Sequence, residues 1–544
     1  MFPMLLVPWA LLVHRYWFLC DDAFISFRYA KHWAEGYGPR YNITGNEIPV
    51  EGYSNFLWTA ISAAVHRAGG DMRVVMPWLS VLCAAALLGL VYRTLLVHVK
   101  VELPLAWAAT LIVACFPPFA VWSTSGLETM SEAFFLFATW TLLALGRSET
   151  TAPLLAGAAG LALSLSRPEG VAWALVVAGI AGGQRWLEGR PILKPLALFF
   201  GLIVPFYGAY FAWRYGYYHT LTANTAYAKV HVDKTTFARG FQYLAAYMAT
   251  VGSPILLAPA LPLSLRDERK PLALSAGLMA IAIPTYAIVI SGDYMTYFRV
   301  MVPGVAFMAI TFALALKAFE KRSPNAVPLT AVLIAGMGML PALNLYMTPP
   351  RLRERLDIRE KLPVFRTENE QWQAMVDHTE AWRDKGEALA SYADPGETYI
   401  AAAIGNVGYY SELFIYDRNG LVTREVAMMP WNGELRSPGH DKTVEPEFFL
   451  ALKPDILDSK LVYGPRVKEK IRLAMREMEA SRYKDMYYPD VTFLEQRPDI
   501  HAQRVLVVLR RGESPLDCAQ RWSAYREHMK DVPENPAADP SGIE

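Results

Sequence analysis

FPMLLVPWALLVHRYWFLC (residues 2–20) runs directly into DDAFISFRYA (residues 21–30) at the start of the chain. The first stretch is an apolar run of the length that a helix needs to cross ~30 Å of hydrocarbon. The second begins with two adjacent carboxylates, Asp21 and Asp22, which are costly inside a bilayer and are expected at its surface. A cleavable signal peptide is the alternative, but no small-residue cleavage site precedes Asp21. The opening therefore predicts a membrane span followed by a polar outer loop.

The composition extends this prediction to the whole chain. Of 544 residues, 53% are hydrophobic and only 19% are charged, against about 25% charged in a typical soluble protein. Lys and Arg number 52 and Asp and Glu number 51, so the net charge of +1 excludes a nucleic-acid binder that depends on phosphate attraction. The four cysteines lie far apart without C-x-x-C spacing, which argues against a disulfide scaffold or a zinc site. We predict an α-helical multi-pass membrane protein.

Apolar runs predict about eleven transmembrane helices. The short loops on one side carry most of the Lys and Arg and are predicted to be cytoplasmic, so the first loop and the tail face outward. We predict a transmembrane domain over residues 1–346 with a long first outer loop at 20–73, an outer soluble α/β domain over 347–531, and a disordered tail at 532–544. The predicted spans lie near residues 2–19, 74–97, 104–122, 129–146, 152–166, 170–182, 192–213, 241–264, 272–290, 300–316 and 326–346.

The adjacent carboxylates of Asp21 and Asp22 are the strongest single signal in the outward loops. Two such groups repel each other at a low-dielectric boundary, so either one has a raised pKa or a cation lies between them. An aspartate at this position is placed to act as a general base for a hydroxyl group that arrives from outside. The alternative is that the pair caps the helix beginning at Ala23, since Asp is a favoured N-cap residue.

Other outward loops carry acids and bases of their own. Glu128 lies at the start of a span, where it either faces the outside or complements the helix dipole. Arg167 and Glu169 flank a proline turn, and a structural ion pair is the simpler interpretation. Lys229 and Arg299 are cations that suit an anionic head group, although interfacial Lys and Arg also anchor ordinary spans. Taken together, these loops predict one polar cavity that faces outward beneath the soluble domain.

Several motifs are absent from the sequence. There is no dinucleotide fingerprint, phosphate-binding loop or H-E-x-x-H pair, so no nucleotide cofactor is predicted. His440 is interpreted as a loop residue rather than a ligand. The triplet at residues 42–44 matches a glycosylation acceptor, a pattern that also arises by chance.

The outward motifs together resemble the bacterial GT-C glycosyltransferases related to the mycobacterial terminal arabinofuranosyltransferase. The resemblance implies a GT-C fold with a C-terminal extracytoplasmic α/β domain in the bacterial inner membrane. It further implies a polyprenyl-phosphate sugar donor, transfer at the periplasmic face, and catalytic acids in the first outer loop. Asn406 departs from the pattern, since an acidic residue is expected there, and residues 218–223 are a less typical lead into Asn224. The motifs that carry the resemblance are residues 21–30, 51–58, 125–128, 167–170, 224–229, 292–299, 405–410 and 417–421.

We expect Asp21 or Asp22 to be the base, while the other orients it or binds a divalent cation (Mg, Mn or Ca), in a displacement that inverts the anomeric centre. Arg28, Lys229 and Arg299 are the candidates to hold the lipid phosphate, where stabilisation of the leaving group is worth several kcal/mol. The residues expected to shape the sugar and acceptor pocket are Glu51, Tyr53, Asn55, Glu128, Arg167, Glu169, Asn224, Tyr227 and Asp293.

The transferred sugar is expected to be arabinofuranose and the acceptor an envelope glycan or a surface protein. A GT-C transferase of mannose or an aminosugar, acting on protein or lipid, is the runner-up, since a fold does not fix a substrate. The rival from another class is a lipid-linked sugar transporter or flippase. That class predicts paired half-repeats and charges near mid-span, whereas the charges here lie at one face.

Overall fold

The computed structural model describes most of the chain, and the remaining segments include the predicted tail at 532–544 and Thr44 of the glycosylation triplet. The described residues are 2–43, 48–229, 233–252, 258–320, 323, 325–359, 365–431, 433–442, 444–463, 467–479, 483–494 and 504–530.

Long apolar helices make up the first two thirds of the chain. Among the described residues, four helical segments are long and apolar enough to cross a membrane: Met72–Val99, Leu193–Tyr218, Lys270–Val289 and Thr296–Lys317. Shorter apolar helices pack with them at Phe2–Arg15, Leu103–Ala114, Thr129–Leu145, Thr151–Ser166 and Ala326–Gly338. The other helices of this part are Asp21–Ala34, Phe56–Arg67, Pro117–Val121, Gly170–Leu187, Asn224–Lys229, Lys234–Val251, Ala260–Ser264, the 3-10 helix Leu340–Leu343 and Pro350–Leu356.

The burial of these helices distinguishes the core of the bundle from its lipid-facing rim. In Leu193–Tyr218 only 11% of the most apolar 18-residue segment is buried, whereas the value for Thr296–Lys317 is 78%. An apolar helix that is left uncovered by protein needs hydrocarbon around it, because water would make its exposure costly. Phe206, for example, is 59% exposed on the outer helix. The chain is a multi-pass membrane protein.

Several predicted spans differ in their bounds from the helices observed, and two of these differences have a clear local cause. The run predicted at 104–122 breaks into two helices around Cys115, because Pro117 and Pro118 supply no N–H groups and therefore begin a new helix. The run predicted at 241–264 belongs to a helix that starts earlier, at Lys234, where the Asp233 side chain caps it. That helix ends at Val251, before a glycine with φ of +74°.

A small mixed sheet forms the C-terminal domain, which we define as residues 368–530. Its five strands are β1 (Thr398–Ala401), β2 (Phe414–Asp417), β3 (Ile456–Tyr463), β4 (Tyr487–Leu494) and β5 (Arg504–Arg511). The order is β2-β1-β3-β5-β4, with β1 parallel to both of its neighbours and β5 antiparallel to both of its own. The helical segments of this domain are Glu368–Tyr392, Gly405–Ser411, Arg424–Met428, Pro446–Leu452, Val467–Glu479 and Pro515–Lys530.

The first loop completes the outer edge of strand β2. The Asn42 side chain accepts the Ile415 N–H at 3.0 Å and donates to the Ile415 carbonyl at 3.1 Å. Asp417 lies two residues after Ile415 on the same strand, and its N–H is accepted by the Thr423 hydroxyl at 2.7 Å. Side chains thus satisfy main-chain groups that an edge strand leaves unpaired.

The helix Asp21–Ala34 lies buried between the membrane helices and the C-terminal domain. Its central guanidinium, that of Arg28, donates to three main-chain carbonyls: Tyr41 at 2.8 Å, Gly408 at 2.6 Å and Leu413 at 2.6 Å. Hydrogen bonds from a charged group are stronger than neutral ones. The hydrogen bonds of Arg28 therefore hold the C-terminal domain against the first loop.

Candidate functional site

A cavity of about 490 Å³ lies where the helix Asp21–Ala34 meets the carboxyl ends of β1 and β2. Ala402 and Ala403, which come directly after β1, line the cavity. Asp417, the last residue of β2, lines it as well. Strand β1 has a parallel neighbour on each side. The connection from β1 to β2 and the next connection, from β2 to β3, therefore run in opposite directions along the sheet. Such switch points are where open α/β sheets bind ligands.

Asp21 is buried against the N-terminal turn of the helix Gly405–Ser411. Its Oδ1 accepts the main-chain N–H of Asn406 at 2.7 Å and the side-chain Nδ2 of Asn406 at 2.9 Å, while its Oδ2 accepts the Gly405 N–H at 3.2 Å. A Cβ at Gly405 would overlap the Asp21 main chain, so glycine is required for this approach. Burial raises the pKa of Asp21 to about 6, although the hydrogen bonds from Asn406 lower it. Asp21 therefore joins the two parts of the chain.

Asp22 differs from its neighbour because its carboxylate lines the cavity and makes no hydrogen bond or ion pair with any described residue. The interpretation of the pair as a helix cap does not hold here, since the N-cap residue is Cys20 and no side chain caps this helix. Asp22 is thus an available acceptor that faces open space.

Lys229 approaches the same cavity from the end of the short helix Asn224–Lys229. Its ammonium group has no hydrogen-bond or ion-pair partner among the described side chains. Two titratable groups of the cavity lining, Asp417 and His440, have pKa values that respond to its charge. Burial raises the pKa of Asp417 to about 6, and burial together with Lys229 lowers the pKa of His440. His440 lies in a loop, as interpreted from the sequence, and its ring meets Tyr294 edge-on at 4.4 Å.

Arg299 lies behind this wall, in the 3-10 segment Thr296–Gly304. Its Nε is 3.4 Å from the Asp293 carboxylate, and its guanidinium lies 5.5 Å from the centre of the Trp122 ring. Tyr297 has a φ of +54°, a conformation that costs energy for a residue with a side chain. Arg299 thus has an anionic partner already, whereas Lys229 has none among the described residues.

A second group of charges surrounds Arg167. Its guanidinium contacts Glu128 at 2.8 Å, Glu169 at 2.6 Å and Glu132 at 3.5 Å. Asn55 donates to the other oxygen of Glu128 at 2.7 Å. The structural ion pair considered for Arg167 is therefore present, and it extends into a network that links four helices. Glu132 was missed from the sequence, although its position four residues after Glu128 places both on one helix face.

The remaining predicted site residues make contacts outside the cavity lining. Arg28 is occupied by main-chain carbonyls, and Asn224 donates to the carbonyls of Gly420 and Leu421 at 2.6 and 3.0 Å. Glu51 forms an ion pair with Arg214 at 2.5 Å, and burial raises the pKa of Glu51 to about 7 against the effect of that pair. The others are Tyr53, whose hydroxyl receives a hydrogen bond from Tyr218 at 3.2 Å, and Tyr227, which lines a separate depression.

One cavity wall was not predicted at all, the helix Glu368–Tyr392. Gln371, His378 and Trp382 recur on one face of this helix and line the cavity with it. Nothing in the local sequence of this helix indicates which partner its polar face meets. Arg436 of the C-terminal domain and Arg366, just before that domain begins, also line the cavity.

The divalent cation between the two aspartates remains a prediction. Three N–H donors already occupy the Asp21 oxygens, so Asp22 would be the available ligand. The described part of the chain contains no cluster of three or more His, Cys, Asp or Glu side chains that could hold a metal ion.

Two solved structures share this architecture over nearly their whole length. ArnT from Cupriavidus metallidurans bound to undecaprenyl phosphate matches with a TM-score of 0.55 and 13% sequence identity, covering 93% of this chain and 96% of that one. The same enzyme in its apo state matches with a TM-score of 0.52 and 13% identity, covering 92% and 96%. The chain has the GT-C fold.

The sequence comparisons say less about this chain than the structural ones do. A family described only as a domain of unknown function, DUF8728, matches residues 366–518, which lie almost entirely within the C-terminal domain. No curated protein matches the chain. The GT-C fold expected from the sequence is thus confirmed, while membership of the arabinofuranosyltransferase family stays a prediction.

Proposed function

We propose that this chain is a membrane glycosyltransferase that moves a sugar, arabinofuranose by our expectation, from a polyprenyl phosphate to an acceptor hydroxyl on the periplasmic face. The observation that carries the proposal is that Asp22 and Lys229 line one cavity and neither has an ion-pair partner among the described residues. A base and a cation that remain available in a shared space are what transfer from a lipid phosphate needs.

The reaction requires little beyond these two groups. The acceptor hydroxyl gives its proton to the Asp22 carboxylate while its oxygen attacks the anomeric carbon from the side opposite the phosphate. The bond between that carbon and the phosphate oxygen breaks, and the polyprenyl phosphate leaves with the electron pair. Attack from the opposite side inverts the anomeric centre. Lys229 faces the developing phosphate charge, where a desolvated cation is most effective.

The two aspartates take different roles in this proposal. Asp22 is the base, because its oxygens have no hydrogen-bonding partner among the described residues. Asp21 positions the site, because its oxygens are held by Gly405 and Asn406 across the boundary with the C-terminal domain. The lipid carrier is supported by the fold, since a structure with the same fold, ArnT, was solved with undecaprenyl phosphate.

The test compares sugar transfer by the wild type with transfer by Asp22→Asn and Lys229→Ala, using polyprenyl-phosphate arabinofuranose and, in parallel, the mannose and aminosugar donors. We expect Asp22→Asn to lower kcat at least about 100-fold, the usual contribution of a general base. Lys229→Ala should weaken donor binding and slow transfer. Lys31→Ala is the matched control, because Lys31 lies on the first-loop helix outside the cavity lining and pairs with Glu412 at an exposed position.

Near-wild-type transfer by folded Asp22→Asn would remove the assignment of the base. Transfer of mannose or an aminosugar in place of arabinofuranose would keep the mechanism and replace the sugar. Transbilayer movement of the donor without any transfer would favour a flippase.

A further inference from the structure

The helix Glu368–Tyr392 forms a long wall of the cavity that the proposed chemistry does not use. Gln371, Met375, His378 and Trp382 line the cavity from this helix. Their spacing of three to four residues places them on one face. From Gln371 to Trp382 this face extends about 16 Å at a rise of 1.5 Å per residue, which is longer than one sugar ring.

The polar groups along this face are not used by the protein itself. The Gln371 amide, the His378 imidazole and the Trp382 indole N–H make no hydrogen bond with any described residue. The His378 and Trp382 rings lie against each other with centroids 5.4 Å apart and an angle of 31° between their planes. We call the part of the cavity along this helix face the groove. Hydrogen-bond donors and acceptors follow one another along the groove, and an aromatic pair lies at one end.

We propose that this groove binds the acceptor, and that the acceptor is an oligosaccharide of two or more sugar units with its terminal hydroxyl beside Asp22. The inference rests on the proposed function and narrows its acceptor from a glycan or a protein to a glycan. Sugar rings present flat C–H faces and a rim of hydroxyl groups, which match an aromatic face with amide and imidazole groups beside it.

A polypeptide acceptor suits this part of the molecule less well. An extended peptide is commonly held by main-chain hydrogen bonds to an exposed strand edge. The exposed edge of β2 faces a separate depression rather than the groove, and the side chains of Asn42 and Thr423 already occupy its main-chain groups. The groove instead presents side-chain groups, which favour a ligand that carries many hydroxyls.

The experiment measures binding of labelled arabinofuranosyl and mannosyl oligosaccharides, one to four units long, to the full-length protein in detergent. We expect affinity to rise at least about tenfold from one unit to three, because added units reach further along the groove. Trp382→Ala and Gln371→Ala should each weaken trisaccharide binding about tenfold or abolish it. Gln373→Ala is the matched control, because Gln373 lies two residues further on, is exposed, and bonds to Asp377 instead. Phe493→Ala, at an exposed position of strand β4, controls for loss of an aromatic ring.

Equal affinity for one unit and three, or unchanged binding in folded Trp382→Ala, would overturn the inference. Binding of unglycosylated peptides that Trp382→Ala weakens would overturn it in favour of a protein acceptor. The two proposals fail separately. Normal transfer by Asp22→Asn with weakened oligosaccharide binding by Trp382→Ala would remove the base and keep the groove, and the reverse pattern would remove the groove alone.

Discussion

Asn406 donates both its main-chain and its side-chain N–H to a single carboxylate oxygen of Asp21, at 2.7 and 2.9 Å. The two residues are 385 positions apart in the chain. The sequence resemblance leads one to expect an acid at position 406, and the structure gives a physical reason for the amide. An acid there would place a second negative charge against a buried carboxylate, whereas asparagine supplies a donor.

Asn406→Asp should therefore destabilise the protein strongly at pH 8 and much less at pH 5. At the lower pH the two carboxyl groups can share a proton, which removes their repulsion. Asn406→Ala loses only one hydrogen bond and should cost about 1–3 kcal/mol at either pH. The measurement is the unfolding temperature in detergent at both pH values. If Asn406→Asp lowered the unfolding temperature equally at pH 5 and pH 8, the prediction would be contradicted.

The raised pKa of Asp21 predicts a pH-dependent stability. The carboxyl group has a pKa of about 6 in the folded protein, against 3.8 for an ordinary aspartate. Between these two pH values the folded state therefore holds a proton that the unfolded state has released. Its contribution is complete below pH 4 and is lost as the pH rises through 6, by up to about 3 kcal/mol. The unfolding temperature of the wild type should fall relative to Asp21→Asn between pH 4 and pH 7. A flat or rising difference would mean that the N–H donors outweigh burial.

The loop that carries His440 is held by a buried ion pair between Asp441 and Arg239. The two side chains meet twice, at 2.8 and 2.6 Å. Asp441→Asn should cost about 3–5 kcal/mol, because it leaves the Arg239 charge buried without its partner. The matched control is Asp71→Asn, which breaks the exposed pair with Arg73 and should cost no more than about 1 kcal/mol. Similar losses of unfolding temperature in the two variants would argue that the Arg239 pair is solvated.

Arg167 is in contact with three carboxyl groups, and its removal should be more damaging than the loss of any one of them. Arg167→Met leaves Glu128, Glu132 and Glu169 facing one another, so we expect low expression and a lower unfolding temperature, with partial recovery in the double variant with Glu132→Gln. Arg190→Met serves as control, because its contacts with Glu149 and Glu188 are partly exposed. Absence of any recovery in the double variant would show that the repulsion is not the cause.

The sequence predicted the fold well, because spans and strands leave local patterns. Apolar runs marked the membrane helices, and the α/β domain predicted after them contains the mixed sheet of β1 to β5. The bounds were less accurate where one side chain decides them, as at Asp233 or the Pro117–Pro118 pair. Local chemistry of this kind shifts a helix end without changing the hydropathy that predicted the helix.

The candidate site was predicted in part, and the reason lies in long-range contacts. Asp21, Asp22 and Lys229 do line one cavity, as expected from their shared side of the membrane. Arg28 looked equally suitable, but its partners Gly408 and Leu413 lie about 380 positions further along the chain. A charged side chain that holds two parts of the chain together leaves the same local sequence pattern as one that binds a ligand. Only the tertiary contacts distinguish the two roles.

The hydrogen bonds between Asn42 and Ile415 are lost when the C-terminal domain is produced without the membrane domain. An excised fragment that begins near residue 366 would keep its five strands but lose the side chain that protects the rim of β2, and Arg28 with it. Exposed edge strands pair with one another in solution. We expect such a fragment to aggregate, and mutations that add charge to β2 to be the first remedy.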